Sequence, residues 1–114
     1  MVFDKVAALD RLGGDEGLFA ELIGIFQSEG PRMLVELRKS LIAEDAAGVR
    51  CNAHGLKGSA GYLGGVGLAK AAHALELLGA AGNLGSAPDA LRALEMELDQ
   101  LLIALTSMTT ATAT

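Results

Sequence analysis

The sequence predicts an all-α protein, an antiparallel four-helix bundle with a short extra N-terminal helix. Three observations carry that expectation. Alanine and leucine supply 20 residues each of the 114, while valine and isoleucine together supply nine. Ala and Leu are strong helix formers, and so few β-branched residues leave little to pave a sheet. The apolar residues recur at steps of three and four, the period of one helix face. The third observation pulls the other way: 15 glycines are about twice the usual share, and each costs about 1 kcal/mol relative to alanine inside a helix.

The first element spans Asp4 to about Leu12, with Val6, Leu9 and Leu12 at helical spacing, and Gly13-Gly14 stops it. Asp15 is then a candidate N-cap with Glu16 in the first turn, where the helix dipole favours negative charge. A long helix follows from about Glu16 to Ala43. Gly30-Pro31 interrupts it, yet Phe19, Phe26 and Met33 lie seven apart and Leu37, Leu41 and Glu44 continue the rows. The stripe keeps its phase across the proline, so one helix kinked or locally opened at Pro31 is expected.

Asp45 caps a third helix, Ala46 to about Leu63, whose apolar face is Val49, Ala53, Leu56, Ala60 and Leu63. Gly64-Gly65-Val66-Gly67 makes the turn. A fourth helix runs from about Leu68 to Leu78, with Leu68, Ala72, Leu75 and Leu78 on one side. Gly79, Gly82 and Gly85 mark the next loop. Ser86-Ala87-Pro88-Asp89 reads as a capping box with an early proline. The last helix carries Leu91, Leu94, Leu98, Leu101 and Leu105. One domain over residues 1–106 is expected, with residues 107–114 as a frayed tail because no stripe continues there.

Composition excludes several function classes. A net charge of −5 with nine dispersed basic residues argues against nucleic acid, which would want a clustered basic face. No apolar stretch approaches the roughly 20 residues of a membrane span, and no signal peptide is visible. A single cysteine, Cys51, forms no internal disulfide, so a cytoplasmic location is expected.

The informative segment is His54-Gly55-Leu56-Lys57-Gly58-Ser59-Ala60-Gly61-Tyr62-Leu63-Gly64-Gly65. At about 100° per residue His54 lies roughly 140° from the centre of the apolar stripe, so it faces outward. Arg50, Lys57, Gly58 and Gly61 are its neighbours on that side, with Gly65 extending the row and Tyr62 at its edge. Gly58 and Gly61 weaken the helix beside one exposed histidine. Access offers the physical reason: small neighbours let a bulky group or a partner reach the imidazole. A neutral imidazole is a competent nucleophile near neutral pH, and Lys57 one turn along would neutralise a phosphoryl group on it. The plain alternative is a surface histidine on a glycine-rich helix.

If Gly64-Gly65 is the turn of an antiparallel hairpin, His54 lies level with Glu76 and Lys57 with His73. Glu76 is therefore a candidate to accept the Nδ1–H of His54 and leave Nε2 free; solvation beside Lys70 or His73 is its other expected state. His73 has no comparable glycine setting and reads as an ordinary polar-face residue. Cys51-x-x-His54 lacks further ligands for a metal site. Ser59 is a small packing residue with no oxyanion arrangement nearby.

The run from His54 to Gly64 resembles the signature of histidine-containing phosphotransfer (HPt) domains: His, any residue, an apolar residue, Lys, Gly, a small residue, then an apolar-Gly pair. Leu12-Gly-Gly-Asp15, Phe26 and Leu75-Glu76 fit the same layout, so the resemblance covers about residues 5–105. It implies a bundle whose His54 carries a phosphoryl group at Nε2, to and from the aspartate of response-regulator receiver domains. It further implies that Lys57 assists the phosphoryl group and that Gly58 leaves space for it. The pairing of His54 with Glu76 is similar to that in the phosphotransfer domains of chemotaxis kinases. Gly55 departs from the pattern, which usually has a larger residue there. Arg50, Gly58, Gly61, Tyr62 and Gly65 are the expected docking face for a receiver domain or a hybrid histidine kinase.

The expected protein is a monomeric phosphocarrier rather than an enzyme. It has no ATP motif and no intrinsic cofactor, and any Mg²⁺ belongs to the receiver partner. The alternative from another class is a docking module that binds a receiver or kinase through the same face without carrying phosphate.

Overall fold

The computed structural model describes the backbone of residues 3–113 and the side chains of residues 3–108. Among the described residues there are helices and no strand: α1 (Lys5–Arg11), α2 (Glu16–Ile42), α3 (Ala46–Tyr62), α4 (Val66–Ala81) and α5 (Ala87–Ala113), with a short 3-10 turn, Leu84–Ser86, before α5. α3 packs on α2 and α4, and α5 closes the ring against both α2 and α4. The result is the four-helix bundle expected from the apolar periodicity, with α1 laid across it.

The helix starts follow from local chemistry. Asp4, Asp15 and Asp45 each precede a helix and accept a backbone N–H three residues on, from Ala7, Leu18 and Gly48. A short carboxylate at the N-cap satisfies a donor that the helix itself leaves unpaired. α2 runs unbroken through Pro31. Gly30 is buried there, and a Cβ would lie 3.2 Å from the Phe26 ring and 3.5 Å from Leu98, so the ring of Phe26 uses the space. α2 ends in two hydrogen bonds, Glu44 N–H to the Leu41 carbonyl at 3.0 Å and Asp45 N–H to the Ser40 carbonyl at 2.9 Å. That closure places Glu44 at φ 55°, a left-handed residue beyond the helix rather than a continuation of its stripe.

The stripes of α3 and α5 are the core. Val49, Ala53, Leu56, Ala60 and Leu63 are buried, as are Leu94, Leu98, Leu101 and Leu105, and Leu68, Ala72 and Leu75 face them from α4. No polar or charged residue among those described is buried. Burying apolar surface at roughly 25 cal/mol per Å² is what holds such a bundle together. The face of α1 is turned from its expected direction: Ala8 is buried, while Val6 is 80% exposed. Leu9 and Leu12 only border the core. So short a helix is oriented by what it is tied to, and α1 is tied at its start. The Asp4 N–H bonds the Gly64 carbonyl at 2.7 Å.

The turn between α3 and α4 is tighter than its glycines suggest. Gly64 adopts φ 75° with the Asp4 backbone against its Cα, so a side chain there would be both strained and blocked. α4 begins at Val66 and reaches Ala81, longer at both ends than the expected Leu68–Leu78. Gly67 is therefore helical, its Cα against the Glu97 carboxylate. Gly79 is also helical and buried, not part of a loop. A Cβ on it would lie 2.7 Å from the Arg50 nitrogen and 2.8 Å from the Ala46 carbonyl oxygen, so α3 and α4 approach there backbone to backbone. α5 continues helical through the expected tail to Ala113, with Thr114 outside the described residues.

Candidate functional site

Glycine at position 79 lets the α3 and α4 backbones close together, and the paired side chains further along that seam meet. His54 leaves α3 on the side away from the core, with 66% of its side chain exposed, and its Nδ1 lies 2.7 Å from Glu76 Oε2 on α4. Lys57, one turn on, donates from Nζ to Glu76 Oε1 at 2.6 Å. His73, one turn before Glu76 on α4, places its Nδ1 3.4 Å from the same Oε1. One carboxylate thus gathers two imidazoles and an ammonium. Glu76 itself is only 15% exposed at its side chain.

The electrostatics follow from that arrangement. The hydrogen bond from Lys57, then that from His54, hold the Glu76 carboxyl down from its ordinary 4.5 to about 2, against the opposing effect of partial burial. Glu76 is an anion at neutral pH and has no proton to give. The Nδ1 of His54 must then be the donor in their bond, and in a neutral imidazole the remaining lone pair sits on Nε2, which faces solvent.

Beside the imidazole the helix surface is bare. A Cβ added at Gly58 or Gly61 would meet nothing within 4 Å, whereas one at Gly55 would lie 3.3 Å from the Met33 methyl. Gly58 and Gly61 thus leave open space, and Gly55 is lined by α2. Tyr62 stands at the edge of this space, 64% exposed. Arg50 is exposed one turn before His54.

Gly65 lies beyond the end of α3 and lines the adjoining groove with Lys57 and Gly61 instead of extending the helical row. It is buried as the N-cap of α4, and a Cβ would lie 2.7 Å from Leu101. The helix ends at Tyr62, so the row of glycines stops at Gly61 and the chain turns inward. Lys57 and His73, expected at one height, meet at the same Glu76 oxygen, and Lys57 turns to it because a long flexible ammonium reaches the nearest anion. Ser59 is partly buried with its hydroxyl toward the Met33 sulfur at 4.0 Å.

Arg11 is the neighbour that sequence reasoning missed. Its guanidinium donates to the Gly61 carbonyl from α1, and with Gly58, Gly61 and Tyr62 it borders a shallow cleft of about 310 Å³. Fifty residues separate donor and acceptor, so no local pattern announces the contact. Among the described residues no group of three or more His, Cys, Asp or Glu side chains is arranged to hold a metal ion. Nor is any described helix long and apolar enough to cross a membrane.

Known proteins share this architecture. The sequence profile of the Hpt domain matches residues 21–104. The structure is similar to the crystal structure of histidine-containing phosphotransfer protein B (HptB) from Pseudomonas aeruginosa PAO1, with a TM-score of 0.90, 25% identity and 96% of each chain covered. No curated protein matches the sequence.

Proposed function

This chain belongs to the Hpt domain family, the histidine phosphotransfer proteins of two-component phosphorelays, and we propose that His54 is its phosphoryl carrier, exchanging the group with receiver-domain aspartates. One observation carries the assignment: the bond from Nδ1 to Glu76, 2.7 Å long, leaves Nε2 as an exposed nucleophile over cleared helix surface.

The step follows from those atoms. The Nε2 lone pair attacks the phosphorus of an aspartyl phosphate presented by the receiver. The N–P bond forms as the P–O bond to the aspartyl carboxyl breaks, and the aspartate leaves as a carboxylate. The imidazole keeps its Nδ1 proton and so becomes cationic on phosphorylation. Glu76 faces that developing charge through the same hydrogen bond, which strengthens as the ring charges. Transfer onward is the reverse reaction with a second receiver aspartate. Glu76 is thus a positioning residue that fixes the tautomer and balances the phosphoimidazolium.

Lys57 is held by Glu76 with its ammonium one turn from His54, where it offsets part of the phosphoryl charge. Gly58 and Gly61 leave room for the phosphoryl group and the receiver surface around it, while Arg50 and Tyr62 border the contact. The chain supplies no ATP chemistry in this reading, Mg²⁺ acts on the receiver side, and the protein works as a cytoplasmic monomer.

Incubation with a phosphorylated receiver domain tests the assignment. The expected result is an acid-labile, base-stable label on this chain that is absent in His54→Gln. Binding of the receiver without label would replace the carrier reading with that of a docking module.

A further inference from the structure

Nine lysines and arginines are set against fourteen aspartates and glutamates in this acidic chain. Six of the nine sit within 4.0 Å of a carboxylate among the described residues. The three with no carboxylate partner among the described residues are Arg11, Arg50 and Lys70, and Arg11 and Lys70 line one groove. Arg50 stands one turn before His54 on α3. Arg11 is fastened to the Gly61 carbonyl two turns after it. Lys70 borders a groove of about 320 Å³ shared with Arg11, Lys57 and His73 and, on the acidic side, Asp4. A paired cation projects little field beyond its partner, whereas an unpaired one acts over roughly a Debye length. The cations of this net-negative protein that no described carboxylate holds therefore stand on α1, α3 and α4 beside the imidazole and its Glu76 partner.

Arg11 is the best placed of the three. The Gly61 carbonyl belongs to the last turn of α3, at the negative end of the helix dipole, and it accepts the Gly64 N–H at 3.2 Å as well as the guanidinium. The Asp4–Gly64 backbone bond fixes α1 on the adjacent turn, so the guanidinium is delivered there by the fold. One N–H serves Gly61. A guanidinium has five, and the exposed remainder borders the cleft floored by Gly58 and Gly61 and walled by Tyr62. A planar donor beside bare helix backbone suits a carboxylate approaching from outside.

We propose that this cleft is an acid-reading docking site, in which Arg11, flanked by Arg50 and Lys70, receives carboxylates on the receiver surface around the phosphorylated aspartate. The inference rests on the carrier role of His54 and names the chemistry of the partner that the role requires. An aspartyl phosphate is anionic, so any surface presenting one to Nε2 brings negative charge to this spot. Lys57 is already bound to Glu76, which leaves Arg11, Arg50 and Lys70 to meet the surrounding charge. They act on encounter and on orientation rather than on the chemical step.

The test is the second-order rate constant of transfer from a phosphorylated receiver domain, measured across a range of salt concentrations. Arg11→Gln keeps a donor for the Gly61 carbonyl while removing the charge. The triple variant Arg11→Gln, Arg50→Gln, Lys70→Gln is expected to lose about tenfold in rate at low salt and to show a flattened salt dependence. Arg92→Gln, which removes a charge already paired with Asp89, is expected to stay within about twofold of the wild type. Far-UV circular dichroism of the triple variant, matching the wild type, separates lost docking from lost fold. A triple variant with wild-type rate and wild-type salt slope overturns the proposal. Labelling by phosphoramidate keeps the two readings apart, because a small donor needs no docking surface. A wild-type chain unlabelled by both phosphoramidate and the receiver would remove the carrier role, and docking would then be judged by the salt dependence of receiver binding in the same variants.

Discussion

Replacing Gly79 by alanine should damage the fold and the site together. A Cβ there would lie 2.7 Å from the Arg50 nitrogen, 2.8 Å from the Ala46 carbonyl oxygen and 3.0 Å from the Arg50 Cα. All three are backbone atoms of α3, so no side chain can rotate aside. Restoring ordinary contact near 3.4 Å requires α3 and α4 to part by about 0.6–0.7 Å at this point. Overpacking of this kind costs about 1–3 kcal/mol, and the gain in helix propensity returns up to about 1 kcal/mol. A net loss of up to about 2 kcal/mol is expected, read as a lower urea midpoint with unchanged m. The same separation acts one turn away on the bond from His54 to Glu76. Stretched from 2.7 Å to about 3.3 Å, that bond leaves the favourable range. Nitrogen-detected NMR of the imidazole should then show His54 moving from a single Nδ1–H tautomer toward a mixture. Gly58→Ala is the matched control, since its Cβ meets nothing within 4 Å. It should gain about 0.5–1 kcal/mol. A Gly79→Ala protein as stable as the wild type, with the His54 tautomer unchanged, would refute the account of the α3–α4 seam.

The remaining expectations concern the carboxylate and one helix end. Glu76→Gln should slow phosphorylation of His54 by about tenfold or more while the bundle stays folded, measured as the rate of label transfer from a receiver alongside circular dichroism; an unchanged rate would remove Glu76 from the mechanism. Because the folded carboxyl is lowered from 4.5 to about 2, its stabilising contribution is complete above about pH 4.5 and is lost as pH falls toward about 2. The difference in urea midpoint between wild type and Glu76→Gln should therefore be flat above pH 5 and shrink across that lower window. Glu44→Gly should stabilise the protein by about 1 kcal/mol in thermal unfolding, because Glu44 holds φ 55° and glycine adopts that region without penalty.

The outward histidine and the helices were legible for a common reason. Periodicity, N-caps and the outward direction of His54 are set within about four residues of chain, the reach of one helical turn. Asp15 and Asp45 could be placed as caps because the carboxylate and the N–H it bonds are three residues apart. Gly58 and Gly61 stood out because their cost is paid inside a helix whose phase was already known.

Other features needed the third dimension. Gly79 was expected in a loop because glycine composition alone does not separate punctuation from close approach; only the depth at which α3 meets α4 tells them apart. The register that sets Lys57 level with His73 fixes backbone height and not where a four-carbon ammonium reaches, and it reaches Glu76, which His73 also faces. Val6 was expected to face the core, yet the bond from Asp4 to Gly64 sets the roll of so short a helix more firmly than its own stripe does. The same tether carries Arg11 across fifty residues to the Gly61 carbonyl. The sequence by itself determined that the chain is helical, which face each of the four bundle helices buries and that His54 is left outside. The tertiary structure decided which charges surround that histidine, because long-range contacts depend on how packed helices close on one another and leave no periodic mark in the chain.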